Sequence, residues 1–198
     1  MIQSNRENNL VIVGGPNGAG KTTLANEILL DHNFRYISAD EIAQNMSPSE
    51  PESVKIKAGK EFYRQFEQAF HSHENILIES TLSGKSVRSL INKVILEGSY
   101  SISIIFVFLT NPQICAERIK VRVKKGGHDI PEEDIYRRFG RSIVNFWQHY
   151  RFLSDHWSLY YNSDDTFLEV LRNNNNDFYV LNETLFATFK KIVKKYEQ

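Results

Sequence analysis

Gly15-Pro16-Asn17-Gly18-Ala19-Gly20-Lys21-Thr22 fits G-x-x-x-x-G-K-[ST] at every fixed position. The apolar run Leu10–Val13 before it reads as a buried strand, and Thr23–Leu30 after it reads as a helix. Strand, glycine-rich loop and helix together form a phosphate cradle. The glycines let backbone N–H groups converge on phosphate oxygens, and the helix N-terminus adds the positive end of its dipole. The nucleotide-binding residues are therefore Gly15, Pro16, Asn17, Gly18, Ala19, Gly20, Lys21, Thr22 and Thr23. Lys21 is expected to reach the β- and γ-phosphates of ATP, and the Thr22 hydroxyl to ligate Mg²⁺. The bland alternative is a glycine-rich turn that binds nothing; the complete motif in its correct flanks argues against it.

Outward from the loop, strands alternate with helices. Phe34–Ser38 reads as a second strand, ending at Ala39-Asp40-Glu41. If this strand lies beside the first, Asp40 falls near the phosphates, because ligands of open α/β sheets sit beyond the carboxyl ends of the strands. Ser49-x-x-Glu52 fits a capping box for a helix whose stripe is Phe62, Phe66, Ala69 and Phe70. Asn75–Glu79 is a third strand, Thr81–Gly84 a loop, and Val87, Leu90, Ile91 and Val94 the inner face of the next helix. Ser101–Leu109 is a near-continuous apolar strand, as a parallel sheet covered on both faces requires. Asn111-Pro112 opens a helix with Ile114, Ile119 and Val123 inward and Arg118 and Arg122 one turn apart. That helix stops at Gly126-Gly127. Asp129-x-x-Glu132 with Pro131 opens another, striped by Ile135, Phe139, Ile143, Phe146 and Tyr150. Trp157–Asn162 is a fifth strand. Phe167–Leu171 and Phe178–Leu181 form a hairpin around the Asn173–Asn176 loop tip, and Glu183–Tyr196 is a closing helix.

The fold class is thus α/β: a P-loop NTPase with a mainly parallel sheet of about five strands, helices on both faces, and a C-terminal β-hairpin and helix. Residues 1–198 are expected to form one kinase-like domain, with 118–141 as an arginine-rich lid. The chain has 24 Lys+Arg against 24 Asp+Glu, so no net field recruits nucleic acid or an anionic membrane. A single cysteine, Cys115, excludes an internal disulfide and fits a reducing compartment. With no leader pattern at Met1–Asn9 and no long apolar run, the expected location is the cytoplasm.

A P-loop alone does not name the chemistry. A transporter-type ATPase would need L-S-G-G-Q before a strand ending in Asp-Glu; here Leu82-Ser83-Gly84 is followed by Lys85-Ser86, and Leu109-Thr110-Asn111 has no acidic pair. A GTPase would need an N-K-x-D-like clamp, which is absent. A small-molecule kinase needs phosphate positioning, a metal, a base for the acceptor hydroxyl and mobile cations. Asp40 suits the base, and Lys21 the phosphates. Glu79 and Thr81 suit the acceptor site, Glu79 alternatively Mg²⁺ through water. Arg122 and Arg138, on either side of the Gly126-Gly127 hinge, suit a closing clamp. Each has a structural alternative: Asp40 as a helix cap, Glu79 as a solvated strand end, Thr81 as a strand terminator, the arginines as solvated helix residues. His128 reads as a surface loop residue, and Trp147 and Trp157 as packing residues. Two rival functions stay open: a nucleotide-switched module regulating a partner, and a nucleic-acid end kinase, which the balanced charge disfavours.

The pattern resembles the zeta-toxin-like P-loop kinases, in particular their short stand-alone branch. The matching pieces are Gly14–Thr23, Ala39-Asp40-Glu41-Ile42-Ala43, Glu79-Ser80-Thr81-Leu82-Ser83-Gly84, and Arg122–Pro131 followed by Arg137-Arg138-Phe139. The resemblance implies an ATP- and Mg²⁺-dependent phosphotransferase acting on a small-molecule hydroxyl acceptor, in that family the sugar hydroxyl of UDP-N-acetylglucosamine. It also implies Asp40 as base, Glu79 in the acceptor site, arginines as the clamp, and an antitoxin protein as partner.

Overall fold

The computed structural model describes residues 8–127, 129–163, 166–174 and 177–197. Among them the chain builds a seven-stranded sheet. Its strands are β1 (Asn8–Gly14), β2 (Arg35–Ser38), β3 (Ile76–Ser80), β4 (Tyr100–Phe108), β5 (His156–Ser163), β6 (Thr166–Asn174) and β7 (Asp177–Val180). The helices are α1 (Lys21–Asp31), α2 (Ala39–Met46), α3 (Lys55–His71), α4 (Ser86–Glu97), α5 (Pro112–Lys124), α6 (Glu132–Gln148) and α7 (Glu183–Tyr196). The strand order is β2-β3-β1-β4-β5-β6-β7. The first five strands in that order are mutually parallel, and β6 and β7 add antiparallel at the edge. None of the described helices is long and apolar enough to cross a membrane.

This order corrects one expectation. β2 does not lie beside β1; β3 intervenes, with Arg35–Ser38 paired to Ile76–Glu79 and Leu10–Gly14 paired to Ile76–Ser80. The most apolar strands, β1 and β4, take the centre because both of their faces are covered, while the four-residue β2, with Arg35 exposed, takes the edge.

Period-two alternation divides the core. Leu10, Ile12, Ile76, Ile78, Ile102, Ile104, Phe106 and Phe108 face one side, where α3, α4, α6 and α7 supply Phe66, Phe70, Ile91, Val94, Phe139, Ile143, Phe146 and Phe189. Val13, Leu77 and Val107 face the other, where the buried helix residues are Leu24 and Ala25 of α1. Phe106 is the centre of the larger side, stacked on Phe146 at 4.2 Å between ring centroids and edge-on to Phe189. Trp147 and Trp157 pack edge to face in the same layer.

Helix starts separate into those with side-chain caps and those without. Asn111 and Asn182 accept the N–H groups of Ile114 and Leu185, and Ser38 accepts that of Glu41. The expected caps at Ser49 and Asp129 differ. The 49–52 segment instead enters a 3-10 turn at Pro51–Val54, closed by Ser53 N–H and Oγ on Glu50 O, and α3 starts only at Lys55. The Glu52 side chain lies outside the described set. Asp129 Oδ1 accepts the neighbouring N–H of Ile130, so α6 starts without a side-chain cap. Three acidic residues in its first turn, Glu132, Glu133 and Asp134, meet the helix dipole instead. Val123, expected inward, is exposed in the last turn of α5. His128 and the Asn175–Asn176 tip lie outside the described residues; Asn173 and Asn174 end β6.

Candidate active site

The loop from Gly15 to Gly20 leaves β1 at the carboxyl edge of the sheet and runs directly into α1, with Gly20 as its N-cap. Its geometry requires glycine at two points in particular. At Gly15 a Cβ would stand 2.2 Å from Val107 O, so the chain could not pass β4 so closely. At Gly20 the backbone is left-handed, φ 92°, and a Cβ would meet Asn162 Nδ2 at 2.3 Å. Ala19 turns its methyl group into the smaller core.

Lys21 is almost entirely buried, and its Nζ donates to Pro16 O at 3.0 Å, folding the side chain back over the loop. Glu79, near the end of β3, stands beside it, with Oε1 3.9 Å from Nζ. The other oxygen, Glu79 Oε2, accepts two hydroxyls, Thr22 Oγ1 at 2.9 Å and Tyr36 OH at 2.9 Å. The strand order explains this meeting. β3 is the immediate neighbour of β1, so the carboxylate at its end faces the start of α1. Burial and the adjacent Glu79 charge push the Tyr36 hydroxyl far above its ordinary value, so it remains a hydrogen-bond donor.

A cleft of about 660 Å³ opens over this group. Its walls include Gly18, Lys21, Thr22 and Thr23 of the loop and α1, Tyr36 and Glu79 of the strands, Asp40 and Gln44 of α2, and Arg118, Arg122, Gly126 and Gly127 of α5 and its end. Asp40 thus shares the cleft although its strand is one position removed from β1. It lies in the first turn of α2, with Ser38 rather than Asp40 as the cap. Its carboxylate is exposed. Asp40 and Gln44, four residues apart, present one face of the helix to the cleft.

The structure distributes the expected arginines unequally. Arg118 and Arg122 line the cleft. Arg118 donates towards Gly18 O at 3.5 Å and Asn162 O at 3.4 Å, and so leans on the loop itself. Arg138 does not line the cleft; it pairs with Asp134 at 2.5 Å within α6, and Arg137 takes the other oxygen of the same carboxylate. These two partners, with the Arg137 hydrogen bond the stronger cause, hold Asp134 below the usual carboxylate range. Thr81 is also outside the cleft. Its Oγ1 pairs with Ser83 Oγ at 2.8 Å, closing a turn after β3.

Three contributors carry no motif. Asn162, on β5, donates Nδ2 to Ala19 O at 2.8 Å and braces the loop from the far side of β4. Tyr36 acts through Glu79, and Gln44 extends the wall beyond Asp40. Only the sheet order and the α2 turn bring them in, and no spacing rule announces either. Cys115, packed under Gly18, is inert, since burial pushes its thiol to about 12.

The arrangement is a phosphate cradle with one buried lysine, hydroxyl and carboxylate oxygens beside it, two arginines above and an exposed carboxylate across the cleft. It defines an α/β P-loop fold. A family model described as "AAA domain" matches residues 10–138, and the chain belongs to that family. A protein of Haemophilus influenzae is 32% identical over 133 residues, covering 67% of this chain and 94% of that protein. Among solved structures, a chain from the AvrRxo1-ORF1:-ORF2 complex with ATP aligns over 96% of this chain with a TM-score of 0.74 at 15% identity. This chain spans 64% of that one. A chain of the PezAT chromosomal toxin–antitoxin system of Streptococcus pneumoniae aligns over 99% of this chain and 90% of its own, with TM-score 0.59 and 14% identity. A gluconokinase from Sinorhizobium meliloti 1021 aligns over 97% and 95%, with TM-score 0.50 and 12% identity. At these identities the likeness is one of fold.

Proposed function

We propose that this chain is an ATP- and Mg²⁺-dependent phosphotransferase that moves the γ-phosphoryl group to a hydroxyl acceptor, in the manner of a zeta-type kinase. The observation that carries the reading is that Asp40 lines the same cleft as Lys21, Thr22 and Glu79. Lys21 and the loop N–H groups hold the phosphates. Thr22 and Glu79 offer Mg²⁺ two hard oxygen groups already 2.9 Å apart, in keeping with an ion that takes few protein ligands and shares the substrate's phosphates. Bound there, the metal would supply charge neutralisation for the transferring phosphates. Asp40 accepts the proton of the acceptor O–H as that oxygen bonds to the γ-phosphorus. The bond from phosphorus to the bridging oxygen breaks, and ADP leaves with the electron pair. Arg122 and Arg118 neutralise the charge that spreads over the transferring group. Arg138 serves only if α6 moves and its pairing with Asp134 is exchanged.

The zeta-toxin and toxin–antitoxin likenesses favour an antitoxin as protein partner. They do not fix the acceptor, and UDP-N-acetylglucosamine gains no support from the site. ADP release dependent on both Mg²⁺ and an acceptor tests the reading. Asp40→Ala should lower kcat by roughly 10²–10⁴-fold while leaving ATP affinity in place. Intact transfer in that variant would remove the assigned mechanism and leave nucleotide binding alone. Acceptor-independent, slow hydrolysis with a stable bound protein would favour the nucleotide-switched module instead.

A further inference from the structure

A second hollow of about 550 Å³ adjoins the nucleotide cleft and shares Gln44, Gly126 and Gly127 with it. It borders α2 at Gln44, one turn along the helix from Asp40. One wall is the segment that failed to start α3 at Ser49: Pro48, Ser49, Glu50, Pro51 and Ser53. The other is the approach to α6, Asp129 and Pro131. Three prolines stiffen both walls, so the hollow is largely preformed. Its size is that of an ordinary small-molecule pocket.

The chemistry of the lining differs sharply from that of the neighbouring cleft. The cations Lys21, Arg118 and Arg122 all stand on the nucleotide side. Among the described lining residues of the second hollow there is no lysine or arginine, and two are carboxylates, Glu50 and Asp129. Gln44 stands on the shared wall. Its Nε2 is spent on Pro48 O at 3.1 Å, and its buried Oε1 has no donor among the described residues. With that oxygen shielded from solvent, Gln44 adds bulk and no charge to the shared wall.

We infer that the phosphoryl acceptor is a small polyhydroxyl compound free of anionic groups, bound between the 48–53 segment and Asp129, with one hydroxyl towards Asp40. The inference rests on the kinase reading above. It separates this chain from enzymes whose acceptor already carries phosphate or carboxylate, since such a group would enter the hollow against Glu50 and Asp129 without a counter-ion.

Matched acceptors test it on the full chain with Mg²⁺·ATP: glucose, sorbitol and glucosamine against glucose 6-phosphate, gluconate and UDP-N-acetylglucosamine, read as acceptor-dependent ADP release. The expected result is kcat/KM for the uncharged or cationic members at least about ten-fold above their anionic counterparts, the size one uncompensated like-charge contact imposes. The E50K/D129K variant, its folding checked by thermal melting, should shift that ratio towards the anionic members. A preference of the wild-type chain for anionic acceptors overturns this assignment and leaves the kinase reading standing. ATP binding without acceptor-dependent release from any of the six overturns both.

Discussion

Glu79 Oε2 takes two hydroxyl donors at once, and the consequences can be measured at single residues. Tyr36→Phe keeps the ring and removes one donor from a carboxylate buried beside Lys21. A hydrogen bond to a charged group is worth about 1.5–3 kcal/mol, so the variant should melt at a lower temperature than the parent. The pH dependence has a definite sign. The unfolded Tyr36 titrates near 10.0, and in the folded chain burial and then the Glu79 charge hold it higher. Its contribution is therefore complete below pH 10 and is lost as pH rises beyond that, so the stability gap between parent and Tyr36→Phe should narrow in alkaline melts. Lys21→Ala should abolish measurable ATP binding by calorimetry, since it removes the one buried cation beneath the cleft among the described residues. Lys21 and Thr22 are legible from the motif alone. Tyr36 is not, because nothing in its own neighbourhood of sequence says that a carboxylate 43 residues later will meet it.

At the scale of elements, the P-loop depends on a strand that lies far from it in sequence. β5 reaches across β4's edge through Asn162, whose side chain holds Ala19 O and whose backbone carbonyl receives Arg118. Asn162→Leu leaves Ala19 O without its buried donor. That costs about 1–3 kcal/mol and loosens the loop, so both the melting temperature and the ATP affinity should fall. Unchanged ATP affinity in a folded Asn162→Leu chain would show that the loop holds its shape without β5. Gly20→Ala should do more damage, because the added Cβ meets the same Asn162 amide at 2.3 Å in a left-handed backbone. Element types were readable from periodicity and caps: Asn111-Pro112 marks α5, and the Gly126 left-handed turn ends it. The start of α3 and the cap of α6 depart from the capping-box pattern for one reason. Ser49 and Asp129 have the right residue types, but prolines at 51 and 131 turn the chain so that local backbone groups meet their own neighbours first.

Across the whole molecule, stability concentrates on one side of the sheet. Phe106 on β4 touches rings from α6 and α7, so it ties the C-terminal helix to the strand beside the P-loop. Phe106→Ala should cost about 3–5 kcal/mol, seen as a large fall in the denaturant midpoint. The opposite face, whose buried helix residues among the described ones come from α1, carries the P-loop. The cleft thus lies where the sheet order turns outward from β1, to β3 on one side and β4 on the other. Under the proposed transfer reaction, closure over the phosphates would fall to α5, whose Arg118 and Arg122 line the cleft, more readily than to α6, whose Arg137 and Arg138 are committed to Asp134.

The sequence by itself determined the P-loop with its Lys21 and Thr22, the parallel α/β character and the covered central strand, whereas Asp40 reaches the cleft from a strand that is not beside β1. The former follow from spacing and periodicity, which are local and survive without knowing the neighbours. Only the tertiary structure decided that β3 rather than β2 flanks β1, that Glu79 closes onto Thr22, that Asn162 braces the loop, and that Arg138 and Thr81 turn elsewhere. Those outcomes depend on which strands pair and which side chains reach partners distant in the chain. Pairing is a competition among whole faces for burial, and no short stretch of residues contains its result.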